Sequence, residues 1–250
     1  MQNPYKLQLK AEGLPYRTIL GESSAKTIKG EKIGYLTGIV YLVPDAKLCP
    51  FAIMAGCFDP CLKSAGRGAF NSVQKARAEK TEFFKTNQRA FMLSLCADIW
   101  SLARKADRLA LIPLVRPNGT SDIPFENILI DGKTIFQIFA NVQFYDYTKH
   151  PSRNLDGKTA GNYDLTYSFS AITPKPISIK GLTNPANKRT AVVFYKRSEI
   201  PNTYRGWQVI DGDDTDVRHI EPSRVVVALY AKGKAKKEEN GFVQILGRDY

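Results

Sequence analysis

Three cysteines stand within thirteen residues, Cys49, Cys57 and Cys61, in a C-x7-C-x3-C spacing. Thiolates are the preferred ligands of zinc and of iron–sulfur clusters. A structural zinc site wants four protein ligands. Three thiols with an open fourth position suit a cluster whose remaining iron is free for another ligand. The spacing also admits a disulfide with one free thiol, or three small apolar side chains in a loop. A basic, glycine-flanked turn follows at once, Lys63-Ser64-Ala65-Gly66-Arg67-Gly68. The fourth cysteine, Cys96, lies beside Leu95 in a helical pattern and reads as a core thiol.

Carboxylates form a second constellation. Asp211, Asp213, Asp214 and Asp216 lie in DGDDTD at the end of an apolar run. Such a group can hold Mg²⁺ or Ca²⁺ and would serve a metal-dependent nuclease. A solvated acidic turn, with Arg218 pairing to one of the aspartates, is the plainer reading. The two histidines, His150 and His219, have no ligand spacing to the cysteines. Gly21 to Thr27 (GESSAKT) lacks the glycine that would precede the lysine of a phosphate loop, so a nucleoside-triphosphate site is not expected there. Lys26, Lys29 and Lys32 are expected to face solvent or a polyanion.

The elements that must carry these groups are legible from their apolar patterns. Ile33 to Val43 reads as a buried strand leading straight into the cysteine loop. Phe83, Phe84, Phe91, Leu95, Ile99 and Leu102 recur at helical spacing, which predicts a long helical stretch over 70–106, broken near Asn87. Strands are predicted at 109–115, 142–147, 165–169, 191–195, 207–210 and 225–229, with a short helix at 134–139. A charged, mobile tail covers 232–239, and 242–246 suits an edge strand. Polar clusters follow most strands, as chemistry at the carboxyl ends of parallel strands requires. The connections after the third strand are short for full helices. The expected fold is therefore α/β, a partial or degenerate (β/α) barrel with mostly parallel strands. It divides into a basic segment packed on the barrel (1–32), one barrel-like domain (33–231) and a charged tail (232–250).

Lys and Arg outnumber Asp and Glu by 36 to 24, a formal charge of +12, which makes nucleic acid the first candidate partner. Tyr145, Tyr147, Tyr163, Tyr167, Tyr195 and Tyr204, interleaved with Lys149, Arg153, Lys196, Arg197 and Arg205, are candidates for stacking bases and holding phosphates, or else are core rings. Strand alternation puts Tyr145 and Tyr147 on one face. No run of about 18 apolar residues exists, so no membrane helix is expected. The first residues lack a signal-peptide pattern, and cysteine is too scarce for a secreted scaffold. A reduced, cytoplasmic setting is expected.

The ordered series C-x7-C-x3-C, AGRG, ARAEKT, NGTSD, FYDYTK and LTYSFS resembles the bacteriophage and plasmid family known as gene product eighty-eight. That family in turn resembles the radical S-adenosylmethionine barrel, in particular the branch containing spore photoproduct lyase. The resemblance implies that Cys49, Cys57 and Cys61 hold a [4Fe–4S] cluster. It implies that Asn118, Thr120, Ser121 and Asp122 meet the methionine amino group of S-adenosylmethionine, and that Lys149 with Thr148 meets its carboxylate. Ser168 and Ser170 would reach the carboxylate or ribose, and Asp211 and Asp213 would face substrate or ribose. The superfamily's usual C-x3-C-x2-C is replaced here by longer spacers, with Asp59-Pro60 before the last cysteine. Zinc therefore stands as the alternative metal. The implied activity is that of an iron–sulfur, S-adenosylmethionine-binding protein acting on nucleic acid or nucleotides. The alternative is a non-enzymatic nucleic-acid-binding protein with a structural metal or cysteine loop.

Overall fold

Asn87 interrupts the long helical pattern, and the interruption divides two helices. Its backbone leaves helical conformation (φ −144°, ψ 71°), and its side chain accepts from the Ala90 amide, capping the second helix. The helices are α3 (Asn71–Thr86) and α4 (Gln88–Leu109). The buried side of α4 runs from Ala90 to Ala106, with Phe91, Leu95, Ile99 and Leu102 at its centre. Cys96 is buried there too. The computed structural model describes residues 1–22, 25–61, 66–150, 153, 160–173 and 189–248; for residues 25, 26 and 67 it describes the backbone alone. Lys63, Ser64 and Ala65 of the basic turn, and Ser23 and Ser24, lie outside the described residues.

α1 (Pro4–Ala11) and α2 (Ala25–Glu31) precede the sheet. Asn3 caps α1 by accepting from the Tyr5 and Lys6 amides, and its amide donates to the Ala97 carbonyl of α4 at 2.8 Å. Asp98 of α4 holds the following chain, accepting from the Tyr16 hydroxyl at 2.6 Å and from the Ile19 and Leu20 amides at 2.7 and 3.0 Å. The remaining helix, α5 (Ile135–Ile138), carries a capping box between Thr134 and Gln137.

The strands are β1 (Leu20–Gly21), β2 (Tyr35–Val40), β3 (Ile112–Arg116), β4 (Gln143–Thr148), β5 (Tyr163–Ser168), β6 (Arg189–Phe194), β7 (Thr203–Tyr204), β8 (Trp207–Asp211), β9 (Val225–Tyr230) and β10 (Val243–Gln244). They form one sheet in the order β1-β2-β3-β4-β5-β6-β9-β8-β7, with β10 also on β6. β1 and β7 pair antiparallel with their neighbours, and all other pairs are parallel. The sheet is open, ending on β1 and β7. β2 to β6 follow one another in chain order, and then β9 intervenes ahead of β8.

Within the run at 242–246, β10 pairs with β6 alone, beyond the end of β5, and both its residues are buried. In the charged tail, Gly233–Lys237 forms a turn of 3-10 helix whose Ala235 is buried against Ala231 and Val243.

A parallel sheet must be covered on both faces. Leu36, Val40, Val115, Phe144 and Leu165 join the core formed with α4. Tyr35, Leu114 and Tyr145 face the other way and pack on Val217. That second cover is the β8–β9 connection, which crosses the sheet to reach β3 and β4. Asp216 accepts from Arg116 at 3.1 Å and from the Tyr145 hydroxyl at 2.9 Å. No described helix is long and apolar enough to cross a membrane.

Candidate functional site

The carboxyl ends of β2, β3, β4 and β5 open on one cavity of about 130 Å³. Ligands of open α/β sheets bind outside such strand ends. Its walls include Cys49, Cys57 and Cys61 from the loop after β2, Asn118 to Asp122 after β3, Tyr147, Thr148 and Lys149 at the end of β4, and Ser168 closing β5. Most residues implied by the resemblance thus share one space. Ser170 lies close by, donating to the Ala55 carbonyl of the cysteine loop at 2.8 Å.

The segment after β3 is built to be rigid. Gly119 passes so near β2 that a Cβ there would lie 2.6 Å from the Val40 carbonyl oxygen and 2.8 Å from the Tyr41 ring. Its own amide donates to that carbonyl. The Asn118 amide and side chain both donate to Asp146 at 2.9 Å, and its side-chain oxygen accepts from Ser121 Oγ and the Ile123 amide at 2.8 Å. Thr120 Oγ1 donates to the Leu42 carbonyl at 2.5 Å. Asp122 accepts from the Lys149 amide at 2.8 Å and Thr148 Oγ1 at 3.0 Å, and pairs with Arg153 at 2.6 Å. The side chains of Asn118, Thr120, Ser121 and Asp122 therefore hold the loop itself. Asp146, enclosed beneath Asn118, has its carboxyl pushed up to about 6, chiefly by burial.

All four cysteines are free thiols. Burial, then the Asp122 carboxylate, then the two neighbouring thiols push the Cys49 thiol up to about 12. Burial also raises Cys57, with Lys149 opposing and Cys61 adding to it. Cys49 Sγ points a weak hydrogen bond, 3.9 Å, at the Thr120 carbonyl. The three sulfurs thus share a cavity and one another's fields. Among the described residues, though, no three His, Cys, Asp or Glu side chains converge as a single-ion site. Lys149 brings a cation to the same space. Its ammonium donates to the Phe169 carbonyl at 2.9 Å and lies 4.5 Å from the Phe242 ring centre. Burial lowers its pKa to about 8, against the pull of Cys57 and Asp122.

Other predicted residues stand apart. Asp211 is paired with Arg197 at 2.6 Å and Asp213 with Lys232 at 2.5 Å, and neither lines the cavity. Lys29 is exposed, as expected, and its ammonium also donates to the Asp213 carbonyl at 2.7 Å. Arg218 pairs with Glu221 rather than with an aspartate of DGDDTD. The carboxylates of DGDDTD are drawn to three separate cations, Asp211 and Asp214 to Arg197, Asp213 to Lys232 and Asp216 to Arg116. Tyr145 and Tyr147 do share a face, where Arg116 lies over both rings. Sequence reasoning passed over Arg116, Asp146 and the Asp122–Arg153 pair. A basic residue closing a strand, as Arg116 closes β3, was the available signal.

The chain is an open, mostly parallel α/β protein with a thiol-lined crevice at its strand ends. It belongs to the gene product 88 family, whose model matches residues 18–244. No curated protein and no solved structure matches it.

Proposed function

We propose that this protein holds a [4Fe–4S] cluster through Cys49, Cys57 and Cys61 and binds S-adenosylmethionine beside it, acting on nucleic acid or nucleotides in the manner of a radical S-adenosylmethionine barrel. The observation that carries the reading is the shared cavity: the three thiols and the polar ends of β3, β4 and β5 line one space. A cluster of four irons keeps its ligand sulfurs farther apart than a single ion does, so thiols that share a cavity without meeting at one point suit the larger group. The sequential run β2 to β6 is the strand order a partial barrel needs. A phage or plasmid origin accords with the family.

Such a cluster supplies the electron that cleaves the sulfonium of S-adenosylmethionine. The chain's part is to bind, orient and exclude water. Lys149 offers its ammonium to a carboxylate, and an anion beside it offsets the cost of its burial. The Thr120 carbonyl now accepts from the Cys49 thiol; once that proton is lost on metal binding, the carbonyl is left as an acceptor for an ammonium. The rigid Asn118–Asp122 loop fixes that carbonyl in place.

Anaerobically prepared protein should be brown and contain about four iron and four sulfide per chain. Cys57→Ala should lose most of both, and S-adenosylmethionine should alter the electron paramagnetic resonance spectrum of the reduced protein. A colourless protein with stoichiometric zinc defeats the reading. It would favour a non-enzymatic nucleic-acid binder with a structural metal loop. That protein would bind nucleic acid in a salt-sensitive way, whether or not S-adenosylmethionine is present.

A further inference from the structure

Among the described residues, the most enclosed arginines come with carboxylates. Arg116 has Asp216, Arg153 has Asp122 and Glu126, Arg189 has Asp164, and Arg218 has Glu221. Arg77, in the ARAEKT stretch of α3, is half-buried and has no carboxylate partner among the described residues. Its Nε and Nη1 are buried and meet no hydrogen-bond acceptor. Its guanidinium carbon lies 4.8 Å from the centre of the Tyr41 ring. Lys80, one turn along α3, is engaged elsewhere, donating to the Ile19 carbonyl at 2.9 Å. The helix is pinned at this point, because Thr81 Oγ1 donates to the Arg77 carbonyl at 2.8 Å and accepts from the Val43 amide at 2.8 Å.

The position is next to the cysteine cavity. Arg77 is within electrostatic reach of Cys61, which lines the cavity. Tyr41, on its other side, packs on Gly119, another lining residue. An arginine cannot shed its proton to relieve burial, and buried donors without acceptors are costly and rare in native proteins. A guanidinium held against an aromatic face, with two donors unused, is arranged for an anion arriving from outside the chain. Lys149 already provides a cation for a carboxylate. The formal charge of +12 favours polyanionic partners.

We propose that Arg77, backed by Tyr41, binds a phosphate group of the substrate at the α3 side of the cavity, the phosphate belonging to a nucleotide or to a nucleic-acid strand. This deepens the reading above and rests on it for the cavity being a substrate site. The test compares wild type, Arg77→Gln and Arg77→Lys by calorimetry and thermal shift. The probes are thymidine 5′-monophosphate, a ten-nucleotide single strand without terminal phosphate, and citrate as a carboxylate control. Arg77→Gln should weaken phosphate binding roughly tenfold or more, with Arg77→Lys in between. A response to the mononucleotide alone, or to the strand alone, supports the proposal and identifies the source. Equal affinity in wild type and Arg77→Gln overturns it, and so does an equal loss for citrate.

The unliganded variant is a second check. Removing a half-buried charge that has no carboxylate partner should leave the melting temperature unchanged or higher. A fall of more than about 5 °C would mark Arg77 as a structural residue and overturn the proposal. Iron content separates the two readings. Arg77-dependent phosphate binding in a protein without iron sinks the cluster reading alone. Iron at full occupancy with Arg77-independent binding sinks this one alone.

Discussion

Lys149→Met should stabilise the unliganded protein at neutral pH. Burial moves the ammonium from its ordinary 10.5 to about 8. At about 1.4 kcal/mol for each tenfold change, keeping it charged in the fold costs about 3 kcal/mol. Methionine removes that cost. It also leaves the Phe169 carbonyl without its donor, a loss of about 1–2 kcal/mol. The net gain at pH 7 is then about 1–2 kcal/mol. The pH dependence identifies the cause. A lysine whose pKa is lowered on folding binds fewer protons in the folded chain than in the unfolded chain between about pH 8 and 10.5. Stability from this group therefore rises with pH across that window, and it is lowest below pH 8. Urea denaturation of wild type and variant, under reducing anaerobic conditions from pH 7 to 10.5, should show the variant's advantage shrinking and then reversing. Taking the difference between the two proteins removes most of what the cysteines and tyrosines contribute. A difference that stays flat with pH, or a variant less stable at pH 7, would refute the account of Lys149 as a cation held at a cost for an absent anion.

Two further outcomes follow from the packing. Gly119→Ala forces a Cβ against the Val40 carbonyl oxygen at 2.6 Å and should cost about 3 kcal/mol in denaturant unfolding; a loss below about 1 kcal/mol would mean the loop is not held as described. Arg189→Met strands the Asp164 carboxylate, its partner at 2.5 Å, and should cost about 3–5 kcal/mol. The double change Arg189→Met with Asp164→Leu should recover most of that loss, and a double variant no better than the single one would show that the pair is not what holds this part of the sheet.

The sequence disclosed those parts of the fold that bury a long apolar stripe. Phe83, Phe91, Leu95, Ile99 and Leu102 gave both helices, and Asn87 their division. Strands β2, β4, β5, β6, β8 and β9 fall within a few residues of the apolar runs that announced them. β10 falls inside the run at 242–246 that suggested a strand, whereas the two-residue strands β1 and β7 went unpredicted: β1 is specified by β2, some twenty residues on, and β7 by a tight hairpin to β8 through Arg205 and Gly206, both at positive φ. α1 carried a signal that passed unread, an Asn followed by Pro at its start. At the site, spacing was enough to gather three cysteines on one cavity. It could not tell that Asn118 and Ser121 spend their polar atoms on the loop itself, because Asp146 and Ile123 become their partners only once β3 and β4 lie side by side.

The contact from Asp216 to Arg116 and Tyr145 bears on how the molecule is made. Residues 49–61 and every strand from β2 to β6 precede residue 216 in the chain. Until residue 216 is added, the guanidinium that borders the cavity lacks its nearer carboxylate, Asp146 lying 3.9 Å away, and the far side of the sheet lacks the Val217 contact. A nascent chain cut off ahead of that stretch would carry the three cavity thiols and strands β1 to β8 yet lack this support behind the pocket.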